Sequence, residues 1–160
     1  MDTWQLAVAG SAALFTGFML WRMRPVVSSE GRATKGRLAE AKARVDKAAD
    51  DAERAVALTD AAEATARLGK AGSAVALYLR AFRAAPASSA VVESAAASLA
   101  KRPRALEDLL WRKLGSDAWT DANRAATRAA LVALADVYDK RQRTKVRAEA
   151  IRHALSLMGE

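Results

Sequence analysis

Residues 68–86, which read LGKAGSAVALYLRAFRAAP, decide the fold. Gly69 follows a leucine where a helix can end in a left-handed turn, and Pro86 closes the stretch because proline cannot continue a helix. Between them, Tyr78 and Phe82 lie four residues apart on the apolar side of a helical pattern. The stretch therefore predicts one helix that ends, a glycine turn and a second helix that packs back on the first.

The sequence on either side of this stretch predicts more helices of similar length. About a quarter of the 160 residues are alanine, and the chain has only 8 glycines and 3 prolines. This is the composition of a helical protein, because alanine has the highest helix propensity. We expect helices at about 60–68, 73–85, 88–99, 103–114, 120–138 and 145–159. The predicted fold class is all-α, an antiparallel helical array that occupies residues 59–160.

A charged helix is predicted before this array. Over residues 33–58, small apolar residues recur three and four positions apart, and charged residues four apart form pairs on the other face. We interpret this segment as a spacer helix. Asp60, with Glu63 three residues later, resembles a capping arrangement and predicts that the next helix begins there.

The N-terminus reads as a membrane anchor. The eighteen residues from Trp4 to Trp21 carry no charge, and at 1.5 Å per residue they span about 27 Å, close to the thickness of a hydrocarbon core. Asp2 precedes this run and arginines follow it, the reverse of a cleaved signal peptide. We therefore expect a single-pass transmembrane anchor over residues 1–24 and a hinge over residues 25–32. The basic flank predicts that the rest of the chain lies in the cytosol.

The composition provides few of the residue types that catalyse reactions or bind metals. The chain has no cysteine and one histidine, and no phosphate-binding loop or metal-ligand spacing occurs, so we expect no catalytic site, no metal and no cofactor. The net charge is +8 and the pI is near 10.3, and the basic residues are spread along the chain. The densest basic run, residues 140–147, contains no aromatic residue for base stacking, so we do not expect a nucleic-acid partner.

The glycine-turn stretch resembles a tetratricopeptide repeat. The residues that carry the resemblance are Leu68, Gly69, Ala74, Tyr78, Ala81 and Pro86. The order of an anchor, a basic flank, a charged helix, one repeat and a leucine-rich helix also resembles the family of small presequence receptors of the mitochondrial outer-membrane import translocase. The matching stretches include VVESAAASL and RPRALEDLLWRKL, between Val91 and Leu114.

This resemblance implies a receptor or adaptor that binds amphipathic targeting helices in an apolar groove for protein import. Carried over position by position, the peptide-binding residues are Ala55, Val56, Thr59, Val92, Ala95, Ala96 and Leu99. It also implies the mitochondrial outer membrane, with other membrane subunits reached through the anchor. A bacterial inner-membrane tetratricopeptide scaffold for the assembly of a membrane protein complex is the alternative. Residues 120–160 have no counterpart in the resemblance.

Overall fold

The computed structural model describes residues 29–117, 119–140 and 144–158. These residues form seven α-helices and one short 3₁₀ helix, and none of them lies in a strand. The helices are α1 (Ser29–Lys47), α2 (Asp51–Arg67), α3 (Ala71–Ala84), α4 (Ser89–Ser98), α5 (Pro103–Ser116), α6 (Arg124–Asp139) and α7 (Lys145–Met158), with the 3₁₀ helix at Asp121–Asn123. The all-helical prediction is confirmed for this part of the chain.

The helices pack as successive pairs. Helix α2 packs against α3, and α6 packs against α7. The first helices of three pairs, α2, α4 and α6, lie side by side, because α4 contacts α2 on one side and α6 on the other. Helix α3 also contacts α5. The residues Ala33–Glu160 belong to one compact unit, in which α4 occupies the central position between α2 and α6.

Alanines bring the helices of the core close together. Ala62, Ala74 and Ala81 are completely buried where α2 and α3 meet. Tyr78, also completely buried, is among the largest side chains of the core. Small residues at a helix crossing let the two backbones approach, and one large side chain then fills the remaining space.

The predicted spacer helix is interrupted. Helix α1 ends at Lys47 and α2 begins at Asp51, so a single helix over residues 33–58 and a helix start at Asp60 are both wrong. Asp50 is the N-cap: its Oδ1 accepts from the backbone N–H of Glu53 at 2.7 Å. In return, Glu53 Oε2 accepts from the backbone N–H of Ala49 at 3.0 Å. These two bonds satisfy amide groups that would otherwise lack partners at the helix start.

Asp60 lies inside α2 because residues on both sides of it in the sequence are buried in the core. Leu58 and Ala61 are almost completely buried, and a helix that continues through Asp60 buries both. The carboxylate instead points to α1 and pairs with Arg44 at 2.8 Å. The pattern of aspartate and glutamate three residues apart occurs at both places, and burial of the neighbouring residues decides which one caps a helix.

The glycine turn and the proline start follow the prediction. Gly69 has φ of +78°, the left-handed conformation that glycine adopts without a steric penalty. Pro103 is the first residue of α5, where its missing N–H has no partner to lose. Helix α5 continues through Gly115 to Ser116, two residues further than predicted, and α6 begins at Arg124 after the 3₁₀ turn.

The predicted anchor, residues 1–24, lies outside the described residues, as do residues 25–28 of the hinge. Residues 29–32, also assigned to the hinge, are helical instead, because α1 begins at Ser29. Glu30 in its first turn favours this start, since a negative charge stabilises a helix N-terminus. Among the described helices, none is both long and apolar enough to cross a bilayer.

Candidate functional site

Most of the predicted groove residues are core residues. Ala55, Val92, Ala95 and Leu99 each expose 2% of their surface or less. Ala96 and Thr59 are partly exposed, and only Val56 is largely open, at 59%. The seven side chains therefore do not line one open groove between α2 and α4.

Val56 and Val92 lie in different places. Val56 lines a depression of about 560 Å³ together with Ala48 and Ala52, on the side of α2 where α1 lies. Val92 forms part of the floor of another groove, beside α6. The hydroxyl of Thr59 donates to the Ala55 carbonyl at 2.8 Å, so its polar group is used within its own helix.

The side of α4 that faces α2 and α3 carries a hydroxyl network, and its two serines also line a cleft of about 780 Å³. The Tyr78 hydroxyl oxygen lies 3.0 Å from Ser94 Oγ and 2.7 Å from Ser98 Oγ. Ser94 Oγ in turn donates to Glu63 Oε1 at 2.7 Å. The network ties α3 to α4 and α4 to α2, so these three helices share one set of directional bonds.

The acceptor at its end fixes the direction of the protons. A carboxylate only accepts, so the single Ser94 proton goes to Glu63. Ser94 then accepts from Tyr78, and Tyr78 accepts from Ser98. Burial raises the pKa of Tyr78 above its usual value, and the hydrogen bond that the phenol oxygen accepts from Ser98 opposes that rise. The phenol thus keeps the proton that the network requires.

The side of α4 that faces α6 is open. Here a groove of about 700 Å³ runs between α4, the start of α5 and α6. It is lined by Ser89, Val92, Glu93, Ala96, Ala100, Pro103, Leu106, Ala125, Arg128, Ala129, Val132, Ala133, Asp136, Val137 and Lys140. The sequence analysis predicted two of these residues, Val92 and Ala96, as peptide-binding residues, but it grouped them with residues of α2 on the opposite side of α4.

The groove has an apolar floor and walls of small residues. Val92, Leu106 and Val137 form the floor and are nearly or completely buried. The α4 and α6 walls consist largely of alanine, and Val132 on the α6 wall remains 45% exposed. Short side chains on facing walls leave space that a partner's side chains can fill.

Four charged residues lie along the groove. Glu93 stands on α4, and Arg128, Asp136 and Lys140 stand on or just beyond α6. All four are exposed. Within the described residues, none of their side chains forms a hydrogen bond or an ion pair. The groove therefore combines an apolar interior with charges that are available to a partner.

Polar contacts elsewhere in the fold hold the helices around the groove. Trp111 Nε1 of α5 donates to the Tyr138 hydroxyl of α6 at 2.9 Å, and that hydroxyl donates to Glu107 at 2.9 Å. The Lys113 ammonium, 2% exposed, donates to the Pro86 carbonyl at 2.7 Å and pairs with Asp117. These bonds fix α5 against α6 and against the α3–α4 connection, so the groove is a feature of a rigid frame.

A second cleft, on the other side of α4, carries a different charge pattern. Its volume is about 780 Å³, and Arg67, Lys101 and Arg102 line it together with Glu63. Arg67 is the last residue of α2, where a positive charge compensates the negative end of the helix dipole. Lys101 and Arg102 lie between α4 and α5, and Arg102 is the N-cap of α5, so the helix dipole explains only Arg67.

The sequence contained a signal for the α6 wall. Helix α6 buries Ala126, Ala130 and Leu134 on one stripe, and Ala129, Ala133 and Val132 extend the apolar surface beyond it. A helix that packs on the core through one apolar stripe does not need these additional apolar residues. The second apolar face of α6 is the sequence pattern that indicates this wall of the groove.

No group of three or more histidine, aspartate or glutamate side chains in the described part of the chain is placed to hold a metal ion. In comparisons with family models, curated proteins and solved structures, nothing matches this chain.

Proposed function

We propose that the chain is a membrane-anchored adaptor that holds an amphipathic helix of a partner protein in the groove between α4 and α6. The observation that carries the proposal is the groove itself, with its apolar floor, its alanine walls and its unpaired charges. An amphipathic helix that lays its apolar face in such a groove is a common mode of peptide recognition.

The dimensions of the groove suit a helix. Helices pack at axis separations of about 8–10 Å, and the shorter distances need small side chains at the contact. Ala96, Ala129 and Ala133 supply them on the two walls. About 700 Å³ accommodates several medium-sized side chains, which is what one face of a short helix presents. Burial of these side chains supplies the affinity.

Among partner helices, we propose targeting helices for protein import, a choice supported by the sequence resemblance described above. A scaffold that assembles membrane protein complexes is the alternative, and it is separable by experiment. A receptor binds short isolated helices reversibly, whereas a scaffold of the second kind holds intact membrane subunits through its anchor and does not bind the peptides.

Peptide titration of the full-length chain tests the groove. We expect a fluorescent amphipathic helical peptide to bind the chain in nanodiscs, with an affinity that changes little between about 0.15 M and about 1 M salt. Val132→Glu places a charge on the open wall and should weaken binding at least tenfold, which corresponds to about 1.4 kcal/mol.

Val56→Glu is the matched control, because Val56 is also an exposed valine but lies on α2 away from the groove. It should leave peptide affinity unchanged. Equal loss of affinity in both variants would show that the groove does not bind the helix. Absence of binding by the parent chain would contradict the receptor and favour the scaffold.

The orientation of the anchor has its own test. If the anchor spans the membrane as proposed, protease added to intact mitochondria should digest the helical domain. In bacteria, the same domain should be protected in spheroplasts and digested only after lysis. Protection on intact mitochondria, or digestion in spheroplasts, would contradict a cytosolic domain.

A further inference from the structure

The α6 wall presents its charges in a fixed order. Arg128, Val132, Asp136 and Lys140 are four residues apart, all are exposed, and all line the groove. Four residues of a helix rise about 6 Å. The wall therefore reads positive, apolar, negative and positive at steps of about 6 Å. Rows of this spacing are the ridges that fit the grooves of a neighbouring helix.

The α4 wall adds one negative charge, Glu93, among small residues. The groove as a whole then carries two positive and two negative side chains, Arg128 and Lys140 against Glu93 and Asp136. Their charges cancel, so the groove offers no net attraction to a strongly cationic or strongly anionic helix. Selection has to come from the order of the charges.

We infer that the partner is a net-neutral amphipathic helix whose charges mirror this row. Its row facing α6 reads negative, apolar, positive and negative at four-residue steps, and one positive residue lies on its edge toward Glu93. This inference rests on the proposed binding of a helix in this groove. Because mitochondrial targeting helices are rich in arginine and poor in acidic residues, its confirmation would replace the import proposal with a different partner helix. The apolar residue at the second position packs against Val132.

The charges select the register and the direction more than they add affinity. Exposed ion pairs contribute little individually, whereas like charges placed together are unfavourable. Sliding the partner by one turn brings its apolar residue beside Arg128 or Asp136. The row also differs when read backwards, so a helix that runs parallel to α6 and one that runs antiparallel need different sequences.

Peptides of identical composition test the inference. The probes share an alanine and leucine face and carry two glutamates and two lysines. One pair has the complementary order, written in each chain direction, and a swapped pair has every glutamate and lysine exchanged. A fifth peptide has the same apolar face with lysine at all four positions. With full-length chain in phosphatidylcholine nanodiscs, one complementary peptide should bind roughly tenfold tighter than its swapped form at low salt, and high salt should reduce the difference.

Charge exchange on the protein supplies the reciprocal test. The quadruple variant Glu93→Lys/Arg128→Glu/Asp136→Lys/Lys140→Glu exchanges every charge of the groove, keeps the net charge and changes only exposed side chains. It should reverse the preference toward the swapped peptide. The matched control is Asp108→Lys/Arg112→Glu, which exchanges an exposed pair of 3.1 Å on α5 that does not line the groove. That control should keep the original preference.

The possible results separate the inference from the proposed function. If complementary and swapped peptides bind equally, or if the lysine peptide binds tightest, the inference is overturned while helix binding stands. If none of the peptides binds, helix binding by the groove fails as well. A reversal that also appears in the Asp108→Lys/Arg112→Glu control would assign the preference to the general field of the protein and would overturn the inference.

Discussion

The two sides of α4 differ in how their polar groups are satisfied. Toward α2 and α3, Tyr78, Ser94 and Glu63 use one another in a continuous set of hydrogen bonds. Toward α6, Glu93 and Arg128 have no partner among the described residues, and the apolar surface between them is open. One side of the same short helix is held by hydrogen bonds, and the other leaves an apolar groove with unpaired charges.

This difference explains why the groove lies between α4 and α6 and not, as the sequence analysis predicted, between α2 and α4. Val92 and Leu99 lie seven residues apart on α4, as expected for one helical stripe. Both are buried. Beside them, the serines on α4 allow Tyr78 to join α3 to this helix. The open surface lies one stripe further round, where α6 rather than α2 provides the second wall.

The largest expected effect comes from a charge on the shared floor. Val92 is completely buried, so Val92→Glu leaves a buried charge without a partner and should lower the free energy of unfolding by about 3–5 kcal/mol. We expect the melting temperature to fall by about 10 °C or more. Thermal unfolding of the parent and the variant measures this.

Val132→Glu is the control on the open wall. The valine is 45% exposed, so the same substitution should change the free energy of unfolding by less than about 0.5 kcal/mol. If Val92→Glu melts like the parent chain, the floor of the groove is not part of the core. If Val132→Glu melts as low as Val92→Glu, the groove is not an open surface.

A smaller effect is expected from the hydroxyl network. Tyr78→Phe keeps the aromatic packing but removes the atom that joins Ser94 to Ser98. The loss should be about 1–2 kcal/mol, because buried groups then lack a partner. Denaturant unfolding of Tyr78→Phe, Ser94→Ala and the double variant measures the coupling. Strictly additive losses would show that the two hydroxyls do not act through a shared bond.

The same tyrosine gives a pH effect of known sign. Because the folded-state pKa of Tyr78 is raised, its contribution is fully present below the usual tyrosine pKa of about 10 and is lost as pH rises toward the folded value. Stability should then fall by up to about 1.4 kcal/mol per pH unit.

Tyr78→Phe isolates this effect from the other groups that titrate in alkali. The stability difference between parent and variant should be constant up to about pH 9 and should shrink by about pH 11. A difference that stays constant over the whole range would show that Tyr78 ionises in the folded protein as it does in the unfolded chain.

The sequence predicts those parts of the fold that a few neighbouring residues determine by themselves. The turn at Gly69 and the helix start at Pro103 follow from the conformations that glycine and proline allow. The helix start was misplaced because Asp50 and Asp60 are each followed by a glutamate three residues later. Only the burial of the residues around Asp60 excludes it as a cap.

The candidate site was less predictable because it depends on three helices. No local pattern states whether Val92 faces α2 or α6, since α4 contacts both. The alanines of the groove walls have the same composition as the alanines of the core. What distinguishes them is the unpaired charge beside them, and pairing is a property of the folded arrangement.

Protection of a single cysteine tests the central claim most directly. The chain has no cysteine, so Val132→Cys and Val56→Cys each give one exposed thiol, on the groove wall and on α2 respectively. Maleimide labelling of the full-length chain is then followed with and without a saturating amphipathic helical peptide. The account predicts that the peptide slows labelling at position 132 at least several-fold and leaves position 56 unchanged. Protection at position 56, with position 132 labelled at its original rate, would contradict a binding site between α4 and α6.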